Sequence, residues 1–203
     1  MAVDIHQMIT NLLEFFDLTN KTIISVGAGG GQFIEYGRNA NKIFAIDNDE
    51  PALEMLRENL INAGLTNKFT LIHSDFYLTD HKGDVVIFEL SLHELYDPAL
   101  AIRHALTLAP NVLILDHWLS SEWVYFIDEK EKVTRSWAVL EALDFKKFQQ
   151  YDTFEFFKDY EELYQKIQGQ GETAISRIEK FKDKKQFTIP LSYALALICE
   201  KTK

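Results

Sequence analysis

Directly after a short apolar run, Thr22 to Val26, the chain reads Gly27-Ala28-Gly29-Gly30-Gly31-Gln32. Glycines let the backbone turn sharply and approach a ligand with no Cβ in the way, and a helix starting behind them offers unpaired N–H groups to an anion. A nucleotide-type cofactor suits such a loop. The dinucleotide fingerprint G-x-G-x-x-G needs glycine or alanine where this chain has Gln32, whereas G-x-G-x-G is met by Gly27, Gly29 and Gly31. Three acids close three later apolar runs: Asp47 after Lys42 to Ile46, Asp75 shortly after Phe69 to Ile72, and Glu89 after Asp84 to Phe88. A carboxylate at the end of a second strand accepts both hydroxyl protons of a cofactor ribose. One at the end of a third can accept from an exocyclic amine, with Phe76 beside it to cover a base.

Histidines follow the next two runs. His93 and Glu94 stand after the fourth, His117 and Trp118 after Asn111 to Leu115. Histidine titrates near neutrality, so His93 is the candidate general base, against the plainer reading of a loop residue bonded near Asp97. Trp118, Trp123 and Tyr125 are candidates, with His117, for a substrate wall; core and lid are the alternatives for the same aromatics. No HxxxH or comparable spacing links the histidines to nearby acids, so no metal is expected.

These residues need a scaffold that brings five strand ends to one edge. The five apolar runs are short and nearly uninterrupted, as strands buried on both faces are. Helix signals lie between them. Asp49 and Pro51 mark one start and Gly64 its end, with Leu53, Leu56, Leu60 and Ile61 on one face, while Asp97-Pro98 opens another helix that runs toward Pro110. Val3 to Phe16 carries apolar residues at helical spacing. Beyond Asp116 the pattern predicts helices near Val133 to Leu143, Lys158 to Ile167 and Glu172 to Phe181, and strands at Phe145 to Phe154 and Phe187 to Cys199. The fold class is α/β, a doubly wound sheet of seven strands with helices on both faces. With no repeat or linker in its 203 residues, the chain reads as a single domain: an N-terminal helix over 1–20, a cofactor-binding half over 21–116 and a substrate-facing half over 117–203.

Composition narrows the partners. A net charge of -10 opposes the long basic surface that nucleic acid or anionic lipid requires. Cys199 is the single cysteine, which rules out an internal disulfide and fits a reducing, cytoplasmic setting. No apolar stretch approaches membrane length, so neither a membrane nor nucleic acid is an expected partner.

Taken in order, Val26-Gly27-Ala28-Gly29-Gly30-Gly31, Ala45-Ile46-Asp47, His73-Ser74-Asp75-Phe76 and Asp84 through Leu95 resemble the class I S-adenosylmethionine-dependent methyltransferases, especially the small type 11-like enzymes. The resemblance spans roughly Thr22 to Cys199. It implies a Rossmann-like sheet with a late antiparallel strand, S-adenosylmethionine as cofactor and a small-molecule methyl acceptor. It further implies that Gly27, Ala28 and Gly29 approach the methionyl and ribose portion, with Gly31 completing the loop. Asp47 would hold the ribose hydroxyls, Asn48 flank the adenine, Asp75 accept from its amine and Phe76 pack on its ring, with Glu89 and Leu90 under the methionine end. The family usually has an acid where this chain has Ser25, and Glu89 is the residue placed to compensate. Two other readings stay open at this level: a noncatalytic cofactor-binding or interaction module, and an NAD(P)-dependent oxidoreductase, against which Gln32 argues.

Overall fold

A computed structural model describes residues 5–199, and in it the five apolar runs pair as parallel strands. They are β1 (Thr22–Val26), β2 (Lys42–Asp47), β3 (Phe69–His73), β4 (Val85–Glu89) and β5 (Asn111–His117). Two longer strands, β6 (Lys147–Asp159) and β7 (Lys185–Cys199), complete a seven-stranded sheet of order β3-β2-β1-β4-β5-β7-β6, with β7 antiparallel to both neighbours. From β1 the chain winds outward to β3, then returns to start β4 on the other side of β1. That reversal opens a crevice at the carboxyl ends of the central strands, where open α/β sheets bind their ligands.

Alternate residues of a strand face opposite layers. Ile23, Val85, Ile87, Leu113 and Leu115 point into one core, and Ile24, Val86, Phe88, Val112 and Ile114 into the other. The first face is covered by α1 (Ile5–Phe15) and, farther along the chain, by α6 (Tyr160–Ile167) and α7 (Glu172–Ile178). The second is covered by α3 (Pro98–Leu108) and α5 (Lys130–Leu140). Leu53, Leu56 and Leu60 of α2 (Glu50–Ala63) bury a smaller cluster against Ala28 and Ala45. Of the stripe expected on α2, Ile61 is exposed, because it lies one residue beyond the three- and four-residue spacing that joins the other three. Among the described residues no helix is long and apolar enough to cross a membrane.

Helix limits follow their local chemistry. Asp97 accepts the Leu100 amide at 2.9 Å as an N-cap, and Gly64 ends α2 at φ 68, a left-handed cap. The helix expected behind the glycine loop is instead a six-residue 3-10 turn, Ile34–Asn39. Residues 27–41 must make the whole connection, and Phe33 and Tyr36 are drawn into the core. The loop therefore offers no full helix N-terminus to an anion.

Trp118, expected in a substrate wall, lies in the second core. Its ring meets Trp137 edge-on at 4.8 Å and Phe148 at 5.3 Å, while Trp137 Nε1 donates to the His117 carbonyl at 2.5 Å. The even positions of β5 face the second layer, and the chain after His117 continues on that side. Trp118→Ala should therefore cost stability, up to about 3–5 kcal/mol if the site does not collapse, and leave cofactor affinity unchanged. Thermal melting and a cofactor titration on the same variant check this.

Candidate cofactor and active site

The crevice at the strand reversal holds a cavity of about 420 Å³, within the usual range of about 300–1,000 Å³ for small-molecule sites. Gly27, Asp47, Asn48, Asp75, Phe76 and Leu90 line it, together with Ser91 and Glu94. Gly27 takes φ 69, and a Cβ there would collide with the Ser91 side chain, whose Oγ donates to the Val26 carbonyl at 2.6 Å. The glycine thus meets two needs at once, a left-handed turn and a close crossing of the β4 loop. Ala28, Gly29 and Gly31 shape the loop behind this wall and do not line the cavity.

Asp47 orders the loop as well as facing the cavity. One of its oxygens accepts the Gly29 amide at 2.8 Å and the other the Asp49 amide at 2.9 Å. A carboxylate carries about four lone-pair sites, so two remain for a diol. Asp75 likewise accepts the Tyr77 amide at 2.9 Å and keeps acceptor capacity. Phe76 is buried edge-on against Phe88 at 5.4 Å, so it forms the cavity wall from within the core. The residues fit a nucleoside with a free diol and an exocyclic amine.

Glu89 does not line the cavity. Buried at the end of β4, it receives the Ser25 hydroxyl at 2.5 Å and a short bond from the Tyr36 hydroxyl. Burial raises its pKa to about 7, with the two hydroxyl donors opposing the rise. Ser25 and Glu89 stand on neighbouring strands, which brings the Ser25 hydroxyl within bonding distance of the Glu89 carboxylate.

His93 is not placed to act as a general base. It is buried, its Nδ1 lies 2.5 Å from Asp116, and its Nε2 faces Glu129 at 3.3 Å and Glu94 at 3.4 Å. Burial alone would lower its pKa, but the charge and hydrogen bond of Asp116, with Glu129 and Glu94, overcome that and hold it at about 11. The ring is an imidazolium with neither nitrogen free to take a proton. Its work is to tie the loop after β4 to the end of β5, where Asp116 also accepts the amides of His93 and His117. His93, Glu94 and Glu129 do form the one group of three metal-type ligands among the described residues, with Lys132 on Glu94 already supplying a second cation.

His117 and Trp123 line a second, smaller cavity on the other side of Leu90, which borders both. Trp123 belongs to α4 (Trp123–Phe126). Tyr125, one turn surface away, is half exposed and stacks under the Arg177 guanidinium at 4.4 Å, bordering neither cavity. Sequence reasoning passed over Ser91, Asp116, Glu129, Glu155 and Lys166. Asp116 carried a signal, since it ends a strand at the same sheet edge as Asp47. Glu129, Glu155 and Lys166 carried none, because only packing brings them in.

A protein family described as "Methyltransferase domain" matches residues 24–110, the stretch that builds the larger cavity. Over those residues the chain carries a methyltransferase domain. The chain is 38% identical over 85 residues to the tRNA (guanine(37)-N(1))-methyltransferase Trm5b of Methanocaldococcus jannaschii, a match that covers 41% of this chain. The chain spans about a quarter (25%) of the length of that relative. Its fold is shared over nearly all of its length. The YcgJ protein of Bacillus subtilis superposes with a TM-score of 0.72 at 12% identity, covering 98% of this chain and 100% of that one. A SAM dependent methyltransferase of Aquifex aeolicus gives 0.60 at 16%, covering 97% and 90%. A SAM-dependent O-methyltransferase of Thermotoga maritima gives 0.59 at 14%, covering 97% and 67%. The methyltransferase sheet order, with its antiparallel seventh strand, and S-adenosylmethionine as cofactor go with the domain.

Breaking the His93 clamp leaves Asp116 buried without its cation, a loss of about 3–5 kcal/mol for a buried pair. His93→Gln should lower stability by about that amount. Because the folded pKa is raised, the stabilisation from His93 is fully present below about 6.5 and is lost progressively as pH rises from there through about 11. Melting curves between pH 6 and 9 should therefore show the advantage of wild type over His93→Gln shrinking above about pH 6.5, by about 1.4 kcal/mol per pH unit; a constant gap across that window would show that the folded protein does not hold His93 protonated.

Proposed function

We propose that this chain transfers the methyl group of S-adenosylmethionine to a small-molecule acceptor. The observation that carries the reading is the pair of cavities meeting at Leu90, a larger one faced by Gly27, Asp47 and Asp75 and a smaller one beyond it. Bound S-adenosylmethionine supplies an electrophilic methyl on a sulfonium. The chain's own residues bind and orient: Asp47 would take the ribose diol, Asp75 the adenine amine, Asn48 and Phe76 the ring. Gly27 with Leu90 would lie along the methionine end, and Glu89 would provide negative charge close by. Alignment of the acceptor with the methyl group is the main source of acceleration in such a displacement.

A nucleic-acid acceptor is the second reading, favoured by the partial likeness to a tRNA methyltransferase. The net charge of -10 and a smaller cavity of about 260 Å³ support the small acceptor instead. We further read the chain as one functional domain, cofactor half first, acting in the cytoplasm, in keeping with Cys199 as its single cysteine.

Calorimetry with S-adenosylmethionine, S-adenosylhomocysteine and NAD tests the reading; tighter binding of NAD would sink it. Asp47→Ala should weaken binding more than Asp75→Ala, because two charge-assisted hydrogen bonds at about 1.5–3 kcal/mol each are lost rather than one. A third outcome concerns pH. The folded-state pKa of Glu89 is raised to about 7, so its protonated form favours folding below about 4.5 and that contribution is lost as pH rises through about 7. A cationic cofactor stabilises the ionised form, so affinity should rise as pH passes through about 7 and flatten in Glu89→Gln.

A further inference from the structure

The smaller cavity, about 260 Å³, has a polar inventory that the rest of the interior does not share. Five buried side-chain polar atoms lack a hydrogen-bond partner among the described residues. Two of them, His117 Nδ1 and Glu155 Oε2, belong to residues that line this one cavity. Glu155 rises from β6 and is 1% exposed, with its other oxygen ion-paired to Lys166 of α6; His117 ends β5 at 6%. An unpaired buried acceptor is costly, and protein interiors retain one mainly where something else completes it.

The form of these groups sets what the ligand must bring. Burial pushes the pKa of His117 down to about 4, and the nearby His93 and Lys166 cations add to this against the opposing charge of Asp116. The imidazole is therefore neutral, with a lone pair to offer. Glu155, raised by burial and held back by Lys166, offers oxygens on the same cavity. A neutral imidazole lone pair and a carboxylate call for a donor-bearing ligand, and because the Lys166 cation on the same cavity is already paired with Glu155, a carboxylate ligand is disfavoured. Much of the remaining wall is flat or aliphatic. Trp123 is buried and braced by stacking on Phe157 at 5.8 Å, Met8, Leu90, Ile127 and Leu191 add aliphatic wall, and Gln32, Gln170 and Lys166 add polar groups to the lining. A braced indole among aliphatic side chains favours a planar ring, and the volume lies below the range for drug-sized ligands.

We propose that this cavity is the methyl-acceptor site, that it takes a compact planar ring carrying an acidic O–H or N–H, and that His117 receives the proton of the atom being methylated. The proposal rests on the methyltransferase reading above. In the step, the acceptor's lone pair forms a bond to the methyl carbon as the carbon–sulfur bond breaks toward sulfur, and the acceptor's proton passes to the imidazole. The product is then a methylated ring, neutral S-adenosylhomocysteine and a His117 imidazolium that discharges to solvent. A weakly basic imidazole suffices, because the proton becomes strongly acidic only as the new bond to carbon forms. Glu155 orients the ring through a second donor and is a positioning residue.

The test uses protein saturated with S-adenosylhomocysteine and ligand-observed NMR with phenol, imidazole, benzoate and cyclohexanol. Phenol should bind with affinity that is flat from pH 6 to 8 and imidazole should bind at pH 8, benzoate and cyclohexanol at least several-fold more weakly. Leu191→Trp, which fills the cavity, should abolish ring binding without weakening S-adenosylhomocysteine. His117→Phe keeps the shape and removes the imidazole lone pair, so phenol affinity should fall about tenfold, as expected for one buried hydrogen bond. The His117 ring ¹⁵N shifts of wild type should move on phenol addition, a readout that stands even if His117→Phe does not fold. Phenol binding unchanged in both variants, unmoved His117 shifts, or preference for benzoate would overturn the proposal. Failure to bind S-adenosylmethionine would instead overturn the methyltransferase reading, whereas binding it while taking up neither phenol nor imidazole would overturn the acceptor site alone.

Discussion

The crossing of β1 and β4 at Gly27 governs the rest of this molecule. Ser91 reaches over the glycine to the Val26 carbonyl, a contact that exists only because residue 27 has no Cβ. It draws the loop after β4 across the end of β1. Leu90, one residue earlier, is thereby held at φ 53, a conformation that leucine rarely adopts and that surrounding contacts must impose. Held there, Leu90 borders both cavities. A looser crossing would merge the two spaces or close one of them.

Around that crossing the sheet edge concentrates acids, and each is handled differently. Asp47 and Asp75 sit at the rim and already accept backbone amides, so their charge orders the loops that present them. Glu89 is buried without a cation and is half neutral near pH 7 as a result. Asp116, Glu94 and Glu129 surround His93, whose imidazolium binds the loops after β4 and β5 and the start of α5 into one block. That block fixes where His117 points, because Asp116 holds the His117 amide at 2.8 Å and Trp137 holds its carbonyl. Two histidines 5.8 Å apart therefore differ in charge state. The one among carboxylates is cationic; the one that burial desolvates without a bonded carboxylate is neutral.

Much of this could be read from order and spacing. Five nearly uninterrupted apolar runs, the G-x-G-x-G loop, and Asp47, Asp75 and Glu89 at successive run ends specify a parallel sheet and its cofactor edge, because strand periodicity and glycine backbone freedom act within a few residues. The limits of α2 and α3 follow from Gly64, Asp97 and Pro98 for the same reason. Reading failed where a residue's role depends on what packs against it. His93 has the same sequence surroundings as a free base would; only the approach of Asp116 and Glu129, 23 and 36 residues away, makes it a clamp. Trp118 and Trp123 are equally aromatic and five residues apart, yet opposite faces of the sheet claim them.

What the sequence by itself determined is the sheet, the glycine turn and the acids at its edge, since each is set by local backbone chemistry and chain order. What the tertiary structure alone decided is which histidine is charged, which tryptophan reaches a cavity, and that Glu155 and Lys166 from β6 and α6 join His117. Burial and long-range pairing set those outcomes, and they arise only once the antiparallel strands have folded back against β5.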